Sequence, residues 1–123
     1  MNRVVHFEIH ADDPERVAAF YRDVLGWWVQ KWDGPVDYWL VGTGEGAPGI
    51  NGAIMRRSRG LSTVNTIQVA DIDATLASVV AHGGTVVNPP QVIPGIGKGA
   101  YFTDTEGNVT GLIQYDEHVP PMG

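Results

Sequence analysis

The chain has 123 residues and a mass of 13.3 kDa, with 43% hydrophobic and 18% charged residues. That is the composition of one folded domain rather than of a disordered segment. Its net charge of −6 argues against a nucleic-acid partner, because phosphate recognition needs clustered cations. The absence of cysteine excludes disulfides, thiolate metal ligands and cysteine nucleophiles. No apolar run approaches the ~20 residues that a membrane span requires. The N-terminus enters a strand pattern at once and leaves no room for a signal peptide, so a cytoplasmic protein with no membrane partner is expected.

In chain order, Val4 to His10 alternates, with Val5, Phe7 and Ile9 on one face and His6, Glu8 and His10 on the other. This is the period-two signature of a strand. Asp13-Pro14-Glu15 reads as a helix N-cap, first-turn proline and dipole-matching acid, with Val17, Phe20, Tyr21, Val24 and Leu25 at helical spacing before Gly26. Three further strands are predicted at Trp27–Trp32, Tyr38–Val41 and Ile50–Arg56. The plan then repeats: a strand over Thr63–Val69, a helix capped by Asp71 and ended by Gly83-Gly84, and strands at Thr85–Asn88, Ala100–Thr103 and Val109–Tyr115. Asp104 to Asn108 is a turn between the last two.

Ile9, Asp13 and Gly26 recur as Ile67, Asp71 and Gly84, each 58 positions later, and Gly52-Ala53-Ile54 aligns with Gly111-Leu112-Ile113 at an offset of 59. The chain therefore reads as one supersecondary unit written twice. The expected fold is α+β: two tandem β-α-β-β-β modules, about 1–57 and about 63–118 of a single domain, forming a curved, mostly antiparallel sheet around a central groove. Arg56, Arg57 and Arg59, the only basic cluster, read as a solvated linker.

Two glycine patterns carry no nucleotide signal. Gly44-Glu45-Gly46-Ala47-Pro48-Gly49 leads to a strand rather than opening a helix, so it lacks the amide-bearing helix end that holds pyrophosphate. Pro94-Gly95-Ile96-Gly97-Lys98-Gly99 lacks the Ser or Thr of a phosphate loop and reads, with Pro89 and Pro90, as a stiff flap whose Lys98 could meet an anionic ligand.

The strand Val5-His6-Phe7-Glu8-Ile9, the helix opening Asp13-Pro14-Glu15-Arg16, Phe20-Tyr21, Leu25-Gly26-Trp27 and the Asp104–Asn108 turn together resemble the vicinal oxygen chelate superfamily. That group includes glyoxalases, bleomycin-resistance proteins and extradiol dioxygenases. Thr105 stands where its members more often have proline. The resemblance implies a homodimer and, in metal-dependent members, four His or Glu ligands from the first and last strands of each module. Aligned by the repeat, those positions are His6, Gly52, Val64 and Gly111, of which only His6 is a donor. No metal and no other cofactor is therefore expected.

What remains is a groove with His6 and Glu8 as candidate acid and base, the carboxylate raising the imidazole pKa, and His10 exposed near the strand end. Trp39, Ile54, Thr66, Gln68, Tyr101 and Ile113 are the candidate ligand-binding residues, in an aromatic, mostly apolar cavity that also draws on Trp27, Trp28 and Trp32. The leading expectation is metal-free binding of a small, partly aromatic or apolar organic molecule. One alternative is an isomerase, lyase or cofactor-free oxygenase using His6 and Glu8. The other, if the ligand alignment is wrong, is a metal-dependent glyoxalase or dioxygenase.

Overall fold

The computed structural model describes residues 1–58 and 60–117. Its elements are β1 (Arg3–Ala11), α1 (Pro14–Leu25), β2 (Trp28–Lys31), β3 (Tyr38–Gly42), β4 (Gly52–Arg56), β5 (Thr63–Gln68), α2 (Ile72–Ala81), β6 (Thr85–Ile93), β7 (Gly97–Thr103) and β8 (Val109–Tyr115). The fold is α+β, with the β-α-β-β-β plan run twice.

Both helices start where their caps dictate. Asp13 Oδ1 accepts from the Arg16 amide at 3.1 Å and Asp71 Oδ1 from the Ala74 amide at 3.0 Å, satisfying amides that the first turn leaves orphaned. The Ile72 amide donates to Gln114 Oε1 at 2.8 Å, a second cap supplied by β8. α1 stops at Gly26, whose φ of 69° is the left-handed conformation that lets its amide turn back to the Arg22 carbonyl.

The chain divides into two compact units, one His6–Val64 and the other Met1–Val5 with the chain from Asn65 onward. The division falls inside β1 and β5 rather than in the linker expected between 57 and 63. Backbone bonds account for it: the His10 amide donates to the Ser62 carbonyl in the first unit, and the Asn2 amide to the Gln68 carbonyl in the second. In the first unit the strand order is β2-β3-β4-β1, and in the second β5-β8-β7-β6. Each has one parallel pairing, β1 with β4 or β5 with β8, and two antiparallel ones.

One face of each sheet is covered by its helix. Phe7, Ile9, Ala11, Trp39, Val41 and Ile54 pack with Ala18 of α1, and Ile67, Val69, Ala100, Phe102 and Leu112 with Ile72 and Leu76 of α2. Trp39 Nε1 also donates to Glu15 Oε1 at 2.8 Å, fastening the sheet to the helix. Trp27 belongs to this side too, stacked on Tyr21 at 4.8 Å and tilted against Phe7 at 5.7 Å, so it does not line a groove.

The expected flap is a correction. β6 runs on through Pro89 and Pro90 to Ile93, β7 starts at Gly97, and Gln91, Val92 and Ile93 pair with Gly99, Lys98 and Gly97 as an antiparallel hairpin. Pairing is irregular between Asn88 and Gln91, where the prolines offer no amide, and β6 is the outer strand of its unit, where proline is tolerated. The Gly44–Gly49 stretch is a hairpin loop closed at its base by Thr43, which bonds Asn51 and the Ile50 carbonyl. Arg56 and Arg57 are exposed and pair with Asp37 and Asp12, as a solvated linker should; Arg59 and the expected module end at 118 lie outside the described residues.

Gly52 is required by close packing: a Cβ there would sit 2.5 Å from the Phe7 carbonyl oxygen and 2.6 Å from its ring. Gly52→Ala is expected to destabilise the protein by about 1–3 kcal/mol, read as a lower urea midpoint with an unchanged slope.

Candidate functional site

Residues paired across adjacent strands project to the same face, so the register decides what shares a surface with His6. Ile9, Ile54 and Trp39 align across β1, β4 and β3, as do Phe7, Gly52 and Val41. All of these lie on the α1 face. Glu8 aligns with Ala53 and Leu40, and His10 with Met55 and Tyr38. The open face of the first unit therefore carries His6, Glu8, His10 and Tyr38.

Two expectations are corrected by this register. Trp39 and Ile54 are 2% and 0% exposed in the core beneath α1, so they do not stand on the surface that carries His6. Of the neighbours Tyr38 and Trp39, it is Tyr38 that does. The parity error comes from the repeat alignment: Gly52 faces Phe7, whereas a Cβ on Gly111 would meet Thr66 Oγ1 at 3.0 Å on the opposite face of its sheet. The offset is 58 throughout, and Ala53, not Gly52, is the counterpart of Gly111.

The polar groups of this face form two contacts. Tyr38 Oη lies 3.4 Å from His6 Nε2, and His10 Nε2 lies 3.2 Å from Glu8 Oε1. Glu8 thus bonds His10, two residues along the strand, and its charge reaches His6 as well. His10 is 5% exposed rather than open to solvent. A carboxylate only accepts, so with Glu8 ionised His10 Nε2 carries the shared proton and the Nδ1 lone pair points into the protein with no hydrogen-bond partner. Such a group costs about 1–3 kcal/mol.

The expected pKa rise at His6 is also reversed. Burial pushes the His6 imidazole below its usual 6.5, and the Glu8 charge offsets this only in part. Near neutral pH, His6 is a neutral imidazole able to accept a proton.

Aromatic side chains border this face. Trp32 meets Tyr38 edge to face at 6.2 Å, and its amide donates to the Tyr38 carbonyl at 2.7 Å. Trp28 pairs with Gly42, over which its ring lies.

In the second unit, Thr66 aligns with Gly111 and Tyr101, and Gln68 with Ile113 and Gly99. Thr66, Gln68, Tyr101 and Ile113 therefore share the face opposite α2, with Thr66 and Ile113 8% and 7% exposed. Lys98 alternates with Gly99 and falls on the face of Ala100 and Phe102, not on that of Tyr101.

The residues do not fit the superfamily's metal site. With the corrected register, the ligand positions that the resemblance implies hold His6, Ala53, Val64 and Gly111, and three of them carry no donor. Among the described residues, no group of three or more His, Asp or Glu side chains is placed to hold an ion.

A histidine titration follows from this geometry. The His6 ring proton signal in NMR is expected to titrate below 6.5, and further below in Glu8→Gln, which removes the only charge that raises it. As pH falls below 6.5 the unfolded chain takes up this proton before the folded one, so His6 costs stability in that window and nothing above it. A midpoint above 6.5 would show that Glu8 outweighs burial.

Comparison with known proteins agrees with the geometry. Residues 3–44 match the family model of the bleomycin resistance protein-like N-terminal region. No curated protein matches the sequence significantly. Among solved structures, a hypothetical protein from Bacillus halodurans C-125 superposes with a TM-score of 0.72 at 16% identity, covering 97% of this chain and 98% of that one. A methylmalonyl-CoA epimerase in complex with methylmalonyl-CoA and ammonium gives 0.69 at 17% identity over 98% and 99%. A variant of the Streptomyces coelicolor methylmalonyl-CoA epimerase, in complex with 2-nitronate-propionyl-CoA, gives 0.69 at 18% identity over 98% and 99%. The chain therefore has the fold of these structures, and its residues 3–44 are similar to the bleomycin resistance protein-like N-terminal region.

Proposed function

We propose that the open face carrying His6 and Tyr38 binds a small, partly aromatic organic molecule without the help of a metal. The observation that carries this reading is the His6–Tyr38 contact of 3.4 Å on a half-buried face bordered by Trp32. It sets two polar handles in an aromatic surround, the usual chemistry of a small-molecule site. On the second unit by itself, Thr66, Gln68, Tyr101 and Ile113 are proposed as ligand contacts of its own open face. Metal independence follows from the donor set, not from any bound group.

One observation favours a second reading, an enzyme acting at a carbon next to a carbonyl. His6 is held in its neutral, proton-accepting form beside Glu8, which is itself bonded to His10. In that role His6 takes the proton from the carbon, and the phenol of Tyr38 donates to the carbonyl oxygen as charge develops there. Isomerase or lyase chemistry fits this pair. The epimerase neighbours act on a thioester, but at 16–18% identity they establish the fold alone.

The test is a thermal-shift screen of aromatic carbonyl compounds, with zinc, nickel, manganese and iron(II) salts in parallel. Organic hits should raise Tm, and His6→Ala and Tyr38→Phe should cut that rise while the metals give no shift of their own. Near-stoichiometric retention of a metal would overturn the metal-free reading. If a hit is also turned over, His6→Ala should lower kcat by about 100-fold or more with binding largely kept; an unchanged kcat would remove the enzyme reading. Light scattering on the same samples reads the homodimer implied by the resemblance.

A further inference from the structure

The outer side of α1 carries a short apolar seam. Val17, Phe20 and Val24 follow one another at intervals of three and four, the spacing of facing positions in a two-helix contact. Val17 is partly packed against the core beneath, whereas Phe20 is 55% and Val24 59% exposed. The Phe20 ring meets Tyr21 edge to face at 5.3 Å, and Tyr21 is stacked on Trp27 at 4.8 Å. A partner therefore finds the ring already ordered, and little side-chain entropy is lost on contact. Ala19, exposed beside Phe20, leaves room for a second helix backbone to come close.

The charges of the helix say what kind of partner fits. Glu15 accepts from the Trp39 indole at 2.8 Å, and Arg22 donates to the Val29 carbonyl at 2.6 Å, so both serve their own unit. Arg16 and Asp23 are exposed, and their side chains have no hydrogen-bond or ion-pair partner among the described residues. One stands just before Val17 and the other just before Val24, so they flank the seam at equivalent positions with opposite signs. In a parallel pair of α1 helices, each would meet the side of the seam that holds Tyr21 and carries no charge. In an antiparallel pair about an axis between Ala19 and Phe20, Arg16 of either copy comes level with Asp23 of the other, since each lies about 5 Å from that axis along the helix. Both ion pairs then form at once, and the two helix dipoles oppose. A partner surface of a single charge would satisfy only one of the two residues and repel the other.

We infer that the outer side of α1 is a self-association surface. A second copy of this chain docks on it antiparallel, with Phe20 and Val24 buried at the centre and an Arg16–Asp23 pair on either side of the two-fold axis. Because α1 covers the face of the sheet opposite His6, this contact leaves the open face untouched and does not depend on the binding reading above.

The test is sedimentation equilibrium of the full chain at low salt. The parent chain is expected to dimerise, and Phe20→Asp to weaken the dimer by about 100-fold. Arg16→Glu and Asp23→Arg each set like charges against each other across the axis, and each should weaken self-association by about tenfold. Neither harms the helix, because an acid in the first turn and a base in the last suit its dipole, and the circular dichroism of both should match the parent. Mixed in equal amounts, the two single variants present opposite charges at both contacts, so a mixed dimer should form about as tightly as the parent one. The double variant R16E/D23R should do the same with itself, and added salt should weaken the parent dimer. A monomeric parent chain overturns the proposal. A dimer that tolerates Phe20→Asp also overturns it, by placing the contact elsewhere on the chain. So does a mixed sample that associates no more tightly than either single variant alone.

Discussion

Everything distinctive about this protein depends on the fact that a helix can cover only one face of a sheet. In the first unit α1 takes the face of Phe7, Ile9, Trp39 and Ile54, and burying each such side chain is worth about 1.5–3 kcal/mol. A one-residue slip in β1 would exchange that set for His6, Glu8 and His10, so the register is fixed by the core and not by the site. The polar face is what the hydrophobic one leaves over. Its composition is then free to differ from that of other chains with the same backbone.

That freedom lets the donor set of the open face vary while the backbone stays the same. His6 stands at one of the four ligand positions that the resemblance implies, but Ala53, Val64 and Gly111 at the other three carry no donor. A lone imidazole on a half-buried face must be stabilised by its neighbours, and here a tyrosine hydroxyl and a nearby carboxylate take over that task. Burial outweighs the carboxylate, which leaves His6 neutral. His10 shows the opposite accommodation: it satisfies Glu8 through one nitrogen and leaves the other unpartnered. The carboxylate is thereby held in place while His6 stays available to a ligand.

The element order, both helix caps and the doubled plan were legible in the sequence, because they rest on local chemistry: Asp13 and Asp71 as acceptors, Gly26 as a left-handed stop, alternation along β1. The composition of the open face was legible only where alternation was clean. β1 has apolar and polar residues in strict turn, and its faces came out as expected. β3 reads Tyr-Trp-Leu-Val, apolar at every position, so nothing in it says which parity faces α1. The offset of 58 kept throughout would have settled the matter, since it pairs Ile54 with Leu112 and puts both in cores. Allowing the offset to drift to 59 moved Ile54 and Trp39 to the wrong side. The hairpin of β6 and β7 was misread for a related reason: Pro89 and Pro90 signal a break in an interior strand but not in an outer one.

The sorting of charge between the two faces was not legible at all, because it depends on that same parity. Arg56 reads in the sequence as part of a solvated linker, and nothing in the sequence says which face Lys31 takes. The register puts them with Ala11 and Trp39. Once there, they are engaged by Asp37 at the exposed margin of the α1 face, where a surface pair contributes at most about 1 kcal/mol and the charges stay hydrated. The arrangement costs the fold little and keeps Lys31 and Arg56 off the open face. The backbone is shared with proteins solved in complex with coenzyme A esters, so whatever this chain binds is set by its side chains rather than by the fold.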